Sequence, residues 1–149
     1  MSLSARSATA ADKEFCRDVH HQAYKDVVIR QFKDWDDDMQ EMMFDEAWAR
    51  IQRKTKILLW DETPCGYSCS DRKSDHFLLI ELVILPEFQR KGIGSSIIDK
   101  LIQKARSAKL PVRLSVLLQS KAKELYERKG FTVVEKTKTH YRMVLKALA

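Results

Sequence analysis

IELVILPEFQRKGIGSSIIDKLIQKAR, residues 80–106, contains the strongest local pattern in this chain. It begins as an apolar strand that ends at Pro86, because proline has no N–H to give to a sheet ladder. A short basic turn with two glycines follows, Gln89-Arg90-Lys91-Gly92-Ile93-Gly94. Apolar side chains then recur at the spacing of an amphipathic helix, at Ile93, Ile97, Ile98, Leu101, Ile102 and Ala105. The stretch therefore predicts a strand, a tight turn and a helix packed on a sheet.

The turn has the physical properties of an anion-binding site. The first N–H groups of a helix have no intrahelical partner, and the helix dipole places partial positive charge at that end. Gly92 and Gly94 lack the Cβ atoms that would hold a diphosphate away from the backbone. Neighbouring side chains that can contact an anion are Arg90, Lys91, Ser95 and Ser96. A Walker loop does not fit, because no lysine follows the second glycine, and a dinucleotide fingerprint lacks its third glycine.

Two motifs together resemble one enzyme family. Gln89–Gly94 resembles the Q/R-x-x-G-x-G/A signature of the GCN5-related N-acetyltransferases (GNAT), which cradles the pyrophosphate of acetyl-CoA. Leu125-Tyr126-Glu127-Arg128-Lys129-Gly130-Phe131 resembles the second signature of that family, LYexxGF. The resemblance implies an α/β fold with a mixed, mostly antiparallel central sheet flanked by about four helices, in which residues 1–149 form a single GNAT domain. The alternative is an ordinary strand–turn–helix that binds no ligand.

The resemblance also implies a function and a set of contacts. It implies an N-acetyltransferase that moves acetyl from acetyl-CoA to a primary amine, with a small molecule favoured, by direct attack and without a metal. The residues that it implies contact acetyl-CoA are Leu82, Val83, Ile84, Gln89, Arg90, Lys91, Gly92, Ile93, Gly94, Ser95, Gln119 and Ser120. The family commonly has an asparagine where this chain has Gln119 or Ser120, so Lys121 and Lys123 are alternative contacts to the CoA phosphates. A CoA-binding sensor without catalysis and an acetyltransferase acting on a protein or peptide amine remain alternative functions.

Two side chains are the candidates for acid–base chemistry. Glu81 is the acid within the central strand, and a carboxylate in such an apolar strand costs free energy unless it is paired or solvated. The resemblance implies that Glu81 is a general base or an anchor for the amine; the alternatives are a structural pair with a lysine or arginine and a water chain that replaces the base. Tyr126 is implied as the general acid that protonates the leaving thiolate, and the alternative is a packing tyrosine.

The first half of the chain predicts a short strand at 4–9 and two helices, at about 13–27, with Asp12 as N-cap, and 38–53. In the resembled family these helices form one wall of the acceptor pocket, so His20, His21 and Tyr24 either face an acceptor or pack at the surface or rim. Trp35 and Trp48 are either pocket walls or core residues. Asp36–Asp38 either cap the second helix or form an acidic lip that attracts an amine. Met39, Met42 and Met43 either line an adaptable pocket or, as methionines more often do, fill the core.

The remaining pattern completes an alternating α/β order. Further strands are predicted at 56–60, 65–70, 76–85, 111–118, 131–135 and 141–145, with a helix at 119–128 that ends at Gly130. A turn is predicted at 61–64 and a polar hairpin loop at 71–75. Gly66 in the second of these strands predicts a bulge or a close approach of two backbones.

Composition bounds the function further. A chain of 149 residues holds one core, and its formal net charge of +6 suits an anionic cosubstrate. The cations are interleaved with acids, so nucleic acid is not an expected partner, and no apolar run is long enough for a membrane span. Three cysteines and no signal-peptide pattern predict a reducing, cytoplasmic location.

Cys65 and Cys69 would lie about 13 Å apart on a strand, too far for one zinc ion. The identity of the amine and the oligomeric state are left open, a homodimer being common in the resembled fold.

Overall fold

The computed structural model describes residues 2–148 and places seven strands and four α-helices in that range. In chain order they are β1 (Leu3–Ser7), α1 (Lys13–Phe32), α2 (Asp37–Ile51), β2 (Thr55–Trp60), β3 (Thr63–Arg72), β4 (Phe77–Ile84), α3 (Ile93–Ala108), β5 (Val112–Leu117), α4 (Ala122–Arg128), β6 (Thr132–Lys136) and β7 (His140–Leu145). Short 3-10 helices occupy Ala10–Asp12, Gln52–Lys54 and Pro86–Phe88. The predicted order of strands and helices is confirmed.

The strands form one seven-stranded sheet in the order β1-β2-β3-β4-β5-β7-β6. The pairs β1–β2, β2–β3, β5–β7 and β6–β7 are antiparallel, whereas β4 and β5 are parallel. The parallel ladder pairs Phe77 with Val112 and Leu78 with Arg113, and β4 continues beyond these two pairs to Ile84. The predicted mixed, mostly antiparallel sheet is therefore confirmed.

The described residues divide into two compact units, each with its own buried residues. The first unit comprises the chain up to residue 69 together with 81–94, and the second comprises 70–80 together with the chain from 95 onward. The core of the first unit consists of Cys16, Val19, Phe44, Trp48, Ile51, Ile57, Tyr67, Cys69, Val83 and Leu85. Of the two positions predicted for Trp48, pocket wall or core, the structure shows the core.

Gly66 brings two strands of the first unit unusually close. A Cβ atom at this position would lie 2.2 Å from the carbonyl oxygen of Val83 and 3.0 Å from the Cα atom of Ile84. No residue larger than glycine fits there without a backbone shift. The β2–β3 register also shifts between Leu58 and Leu59, opposite this region. The predicted close approach is confirmed, and it fixes β3 against the last residues of β4.

The second unit buries one face of α3 and alternate residues of β5. On α3 the predicted apolar face is buried at Ile98, Leu101, Ile102 and Ala105. On β5 the side chains of Val112, Leu114 and Val116 are buried and alternate with exposed positions, as expected for a strand covered on one side. Gly130 follows α4 with φ = +101°, the left-handed conformation that glycine adopts without a Cβ penalty.

Some boundaries and packing predictions were wrong. The first helix does not end near Val27 but continues to Phe32, and it stops where Lys33 turns left-handed at φ = 65° and donates its N–H to the Ile29 carbonyl. The turn at 61–64 is shorter than predicted, because Asp61 and Glu62 both have positive φ and form a two-residue connection that suits a twisted hairpin.

The methionines of α2 do not fill the core. Met39, Met42 and Met43 are 56%, 63% and 56% exposed. The buried stripe of α2 is made by Phe44, Trp48 and Ile51 instead. α2 therefore carries more apolar side chains than its buried face can cover, and the three methionines remain exposed.

Asp12 precedes α1, but its carboxylate does not cap that helix. It accepts two hydrogen bonds of 2.9 Å from the Arg6 guanidinium and one of 2.8 Å from the Thr9 N–H. The bond to Arg6 lowers the pKa of Asp12 to about 2. The side chain thus ties β1 to the start of the helical segment.

Candidate active site

The glycine turn is built on the end of β4. Leu85 donates its N–H to the Cys65 carbonyl, and Pro86–Phe88 then forms a single 3-10 turn. The Gln89 side chain reaches back and donates from Nε2 to the Ile84 carbonyl at 3.1 Å. Of the predicted cosubstrate contacts, Gln89 and Ile84 are therefore bonded to each other, which fixes the entry to the turn.

The turn itself is exposed. Arg90, Lys91 and Gly92 are all open to solvent, and neither cation forms an ion pair among the described residues. Gly92 has φ = +78°, and a Cβ atom built on it would meet nothing within 4 Å. Glycine is needed there for its conformation, while the space beside it is free. Arg90 shares the left-handed conformation at φ = 65°.

α3 begins at Ile93, directly after the turn. Gly94 and Ser95 lie in its first turn, where N–H groups have no intrahelical acceptor and carry the positive end of the helix dipole. Ile93 is 2% exposed and anchors the start of the helix. The arrangement is suited to hold a phosphate group against the backbone.

The candidate contacts on β4 lie just before this turn. Leu82, Val83 and Ile84 follow the two residue pairs that join β4 to β5. Val83 is 3% exposed and belongs to the core of the first unit, whereas Leu82 and Ile84 are partly exposed. Any contact that Val83 makes with a ligand would therefore use its backbone.

Glu81 is held by a tyrosine of α1. The Tyr24 hydroxyl donates to Glu81 Oε2 at 3.1 Å, a bond between residues 57 positions apart in the chain. Burial raises the pKa of Glu81 to about 7, and the hydrogen bond from Tyr24 acts in the opposite direction. The alternative of an ion pair with a lysine or arginine is wrong, because Glu81 has no such partner among residues 2–148.

Tyr67 of β3 interacts electrostatically with this carboxylate. It is 1% exposed, and its pKa is raised well above the usual value, first by burial and then by the charge of Glu81. The sequence analysis did not single out this residue. The alternation of Cys65, Tyr67 and Cys69, all buried on one face of the strand, is the signal that could have identified it.

A row of rings extends along α1 from Tyr24. The His20 ring lies 4.7 Å from the Tyr24 ring, and His20 Nδ1 lies 3.2 Å from His21 Nδ1. His21 Nε2 lies 3.3 Å from Glu41 Oε2 on α2. Burial, with a smaller contribution from His21, lowers the pKa of His20 to about 4, so His20 is neutral at pH 7. His20, His21 and Tyr24 thus form one cluster rather than three separate rim residues.

The acidic segment before α2 is explained by helix capping. Asp36 accepts a 2.9 Å bond from the Met39 N–H as N-cap, and Asp37 accepts a 2.8 Å bond from Trp35 Nε1. Trp35 is partly exposed and lies edge-on to His21, with ring centroids 5.3 Å apart. The capping interpretation of Asp36–Asp38 is confirmed for Asp36.

The remaining predicted site residues lie in the second unit. Ser120 accepts a 3.2 Å bond at Oγ from the Ala122 N–H and so shapes the start of α4, and Gln119 is exposed beside it. Tyr126 is 6% exposed, and its ring lies 5.7 Å from that of Phe131 in a T-shaped contact. Lys123, a predicted alternative for phosphate contact, lies 4.7 Å above the Tyr141 ring.

Two classes of site find no support within residues 2–148. No group of three or more His, Cys, Asp or Glu side chains in that range could hold a metal ion. No helix there is both long and apolar enough to cross a bilayer.

Comparison with known proteins assigns the family. The model of the acetyltransferase (GNAT) domain matches residues 18–144, whereas no curated protein matches the sequence. PaiA N-acetyltransferase from Thermoplasma acidophilum, crystallised with coenzyme A, is similar at a TM-score of 0.77 and 18% identity, over 99% of this chain and 100% of the other. The ribosomal-protein-S18-alanine N-acetyltransferase from Escherichia coli is similar at 0.69 and 17%, over 99% and 96%.

A longer protein shares the same fold. N-acetylglutamate synthase from Neisseria gonorrhoeae, complexed with coenzyme A and N-acetyl-glutamate, is similar at a TM-score of 0.70 and 14% identity, over 100% of this chain and 36% of the other. At these identities the structural likeness concerns the fold, and the predicted fold class is confirmed. With the match over residues 18–144, the chain belongs to the GNAT acetyltransferase domain family.

Proposed function

We propose that this chain is an acetyl-CoA-dependent N-acetyltransferase that moves an acetyl group to a primary amine, with a small molecule as the favoured acceptor. The observation that carries the proposal is the exposed glycine turn between β4 and α3, with Gly92 at φ = +78° and open space beside it. Two structural neighbours that share the fold were crystallised with coenzyme A, which supports the same cosubstrate here.

The turn fits the diphosphate of CoA. The first N–H groups of α3 have no intrahelical acceptor and would bind the diphosphate, and Arg90 and Lys91 are exposed cations with no ion pair among the described residues. Charge-assisted bonds to phosphate are about twice as strong as neutral ones. Backbone N–H groups and the two cations would thus bind the diphosphate together.

Glu81 is the proposed base. A primary amine with a pKa near 10 is mostly protonated at pH 7 and must lose a proton for the reaction to proceed. With its pKa raised to about 7 by burial, Glu81 is a stronger base than an ordinary carboxylate and is still largely ionised above pH 7. The Tyr24 hydroxyl holds one carboxylate oxygen and leaves the other for the amine.

The transfer itself needs no covalent enzyme intermediate. Glu81 takes a proton from the protonated amine and releases it to solvent, and the neutral nitrogen then attacks the thioester carbonyl. The C–S bond breaks, the second proton on nitrogen passes to Glu81, and Tyr126 donates a proton to the leaving thiolate and is reprotonated from solvent. Backbone N–H groups of residues 82–84 are the proposed partners of the carbonyl oxygen, on which negative charge develops. Cys65 and Cys69 have no exposed surface, which supports direct attack over a route through an acyl-cysteine.

The test combines binding with turnover. Calorimetry with acetyl-CoA should detect one site per chain, and Gly92→Glu should abolish binding because a carboxylate replaces the space for phosphate. Ala147→Glu, which adds the same charge at an exposed position, is the matched control. Circular dichroism of Gly92→Glu separates loss of the site from loss of the fold.

Turnover is measured as release of free CoA thiol with a panel of aliphatic amines, amino acids and peptide N-termini. Acetyl-CoA binding without thiol release from any acceptor would support the sensor function instead. Release with peptides alone would overturn the small-molecule preference. Unchanged acetyl-CoA affinity in Gly92→Glu would refute the proposed site.

A further inference from the structure

A concave surface lies in the second unit, on the C-terminal half of α3. An open groove of about 810 Å³ is lined by Arg72 at the end of β3, Phe77 at the start of β4, and Lys100, Gln103, Lys104, Ser107 and Ala108 of α3. The α3 residues follow the i, i+3, i+4, i+7, i+8 spacing of a single helical face. None of the residues of this cationic groove belongs to the glycine turn, which ends at Gly94 in the first turn of α3.

The charge of the cationic groove is uniformly positive. Its lining contains Arg72, Lys100 and Lys104 and no carboxylate. None of these three cations forms an ion pair or hydrogen bond within residues 2–148. Elsewhere in the chain many cations are paired, as with Arg6 and Asp12 at 2.9 Å.

The acids next in sequence to the groove cations are bonded to other lysines. Asp71, which precedes Arg72, accepts from Lys73 at 2.8 Å, and Asp99, which precedes Lys100, accepts from Lys129 at 2.9 Å. The acids adjacent in sequence to Arg72 and Lys100 are therefore paired with lysines outside the groove, and no carboxylate belongs to its lining.

The groove also offers directional contacts. The Arg72 guanidinium lies 5.5 Å from the centroid of the Phe77 ring, which supports one face of the group and leaves its N–H donors to a ligand. Gln103 lies between the two lysines, and Ser107 lies near the end of α3. Both side chains can form hydrogen bonds to a ligand. From Lys100 to Ser107 the face extends about 10 Å along the helix axis.

The helix dipole does not explain these cations. Positive residues in the last turn stabilise a helix C-terminus, but Lys100 lies in the middle of α3 and Arg72 is on a strand. We propose that the cationic groove is a binding site for a small polyanion about 10 Å long that carries two or three phosphate or carboxylate groups. Phosphates would exploit the fork of Arg72 and the point charges of the lysines together.

The experiment is calorimetry with two probes, inorganic tripolyphosphate and citrate, in the presence of saturating CoA so that the glycine turn is occupied. One site per chain should remain for at least one probe, and the probe that binds more tightly identifies phosphate or carboxylate as the preferred group. Arg72→Gln combined with Lys104→Gln should weaken that binding about tenfold or more. Arg53→Gln combined with Lys146→Gln removes the same charges at exposed positions that form no ion pair among residues 2–148, and should change the binding less than about twofold.

Three results would overturn the proposal. Equal weakening in both double variants would show that the probes respond to net charge alone. The absence of any remaining site with CoA bound would show that both probes occupy the glycine turn. Unchanged binding in Lys104→Glu, which places a carboxylate in the groove without altering Arg72, would exclude the groove even if the double variant fails to fold. If CoA itself does not bind, the proposed function fails, while the comparison of the two double variants still tests the groove.

Discussion

Replacement of Glu81 by glutamine tests the proposed base through both stability and activity. Glu81→Gln keeps the shape of the side chain and the acceptor for the Tyr24 hydroxyl, but it removes the charge. A glutamine cannot accept a proton from the amine, so we expect thiol release to fall about a hundredfold or more. The same variant should be more stable than the parent at alkaline pH, because the parent must bury a carboxylate there.

The magnitude follows from the raised pKa. Glu81 has a pKa of about 7 in the folded chain, against 4.5 for an unperturbed glutamate. Between these values the folded chain keeps a proton that the unfolded chain releases, so stability is lost as pH rises through the window and the loss is complete above about pH 7. At about 1.36 kcal/mol per pH unit, the difference amounts to about 3 kcal/mol. The net gain of the variant at pH 8 is expected at about 1–3 kcal/mol, since the new NH₂ group also needs partners.

The assay is urea unfolding of both proteins at pH values from 4.5 to 8.5. The stability difference between Glu81→Gln and the parent should be smallest at the acid end and grow until about pH 7. Glu87→Gln makes the same substitution at an exposed position and is the matched control. A difference for Glu81→Gln that is flat, or that shrinks as pH rises, would refute the argument that burial raises this pKa.

Three further substitutions test single contacts. Tyr24→Phe removes the hydrogen bond that lowers the pKa of Glu81, so the acidic limb of the kcat/KM profile should move to higher pH; a limb that stays in place would show that Tyr24 does not act on the base. Gly66→Ala should cost at least about 2 kcal/mol in urea unfolding, because the added Cβ would lie 2.2 Å from the Val83 carbonyl oxygen, and a cost below about 0.5 kcal/mol would contradict the close approach. Thr55→Val should cost about 1–2 kcal/mol by removing the buried 2.8 Å bond to a backbone carbonyl of α2, whereas a neutral result would mean that this carbonyl finds another donor.

The local pattern of the chain was sufficient to predict the strand–turn–helix unit. Pro86 ends β4 because it lacks an N–H, and Gly92 supplies the positive φ of the turn. Both effects act within a few residues, so they can be read before the fold is known. The cosubstrate contacts predicted for residues 89–95 rest on the same local argument and stay predictions until binding is measured.

Features of the fold that have no local signal could not be predicted from the sequence. α1 ends at Phe32 because Lys33 is left-handed, a conformation that lysine rarely adopts, and no glycine or proline marks that position. The contact of Tyr24 with Glu81 joins residues 57 positions apart and depends on how α1 packs on the sheet. Whether Met42 fills the core is likewise decided by which face of α2 is covered, and it is 63% exposed.

The three cysteines give this chain a built-in reporter of opening. Cys16, Cys65 and Cys69 are each 0% exposed, and burial raises the pKa of Cys16 to about 12. A thiol reagent added to the native protein should therefore react with released CoA at once and with the chain only when the first unit opens. The slow phase of such labelling would measure how often α1 or β3 opens far enough to expose these thiols, without a probe being introduced.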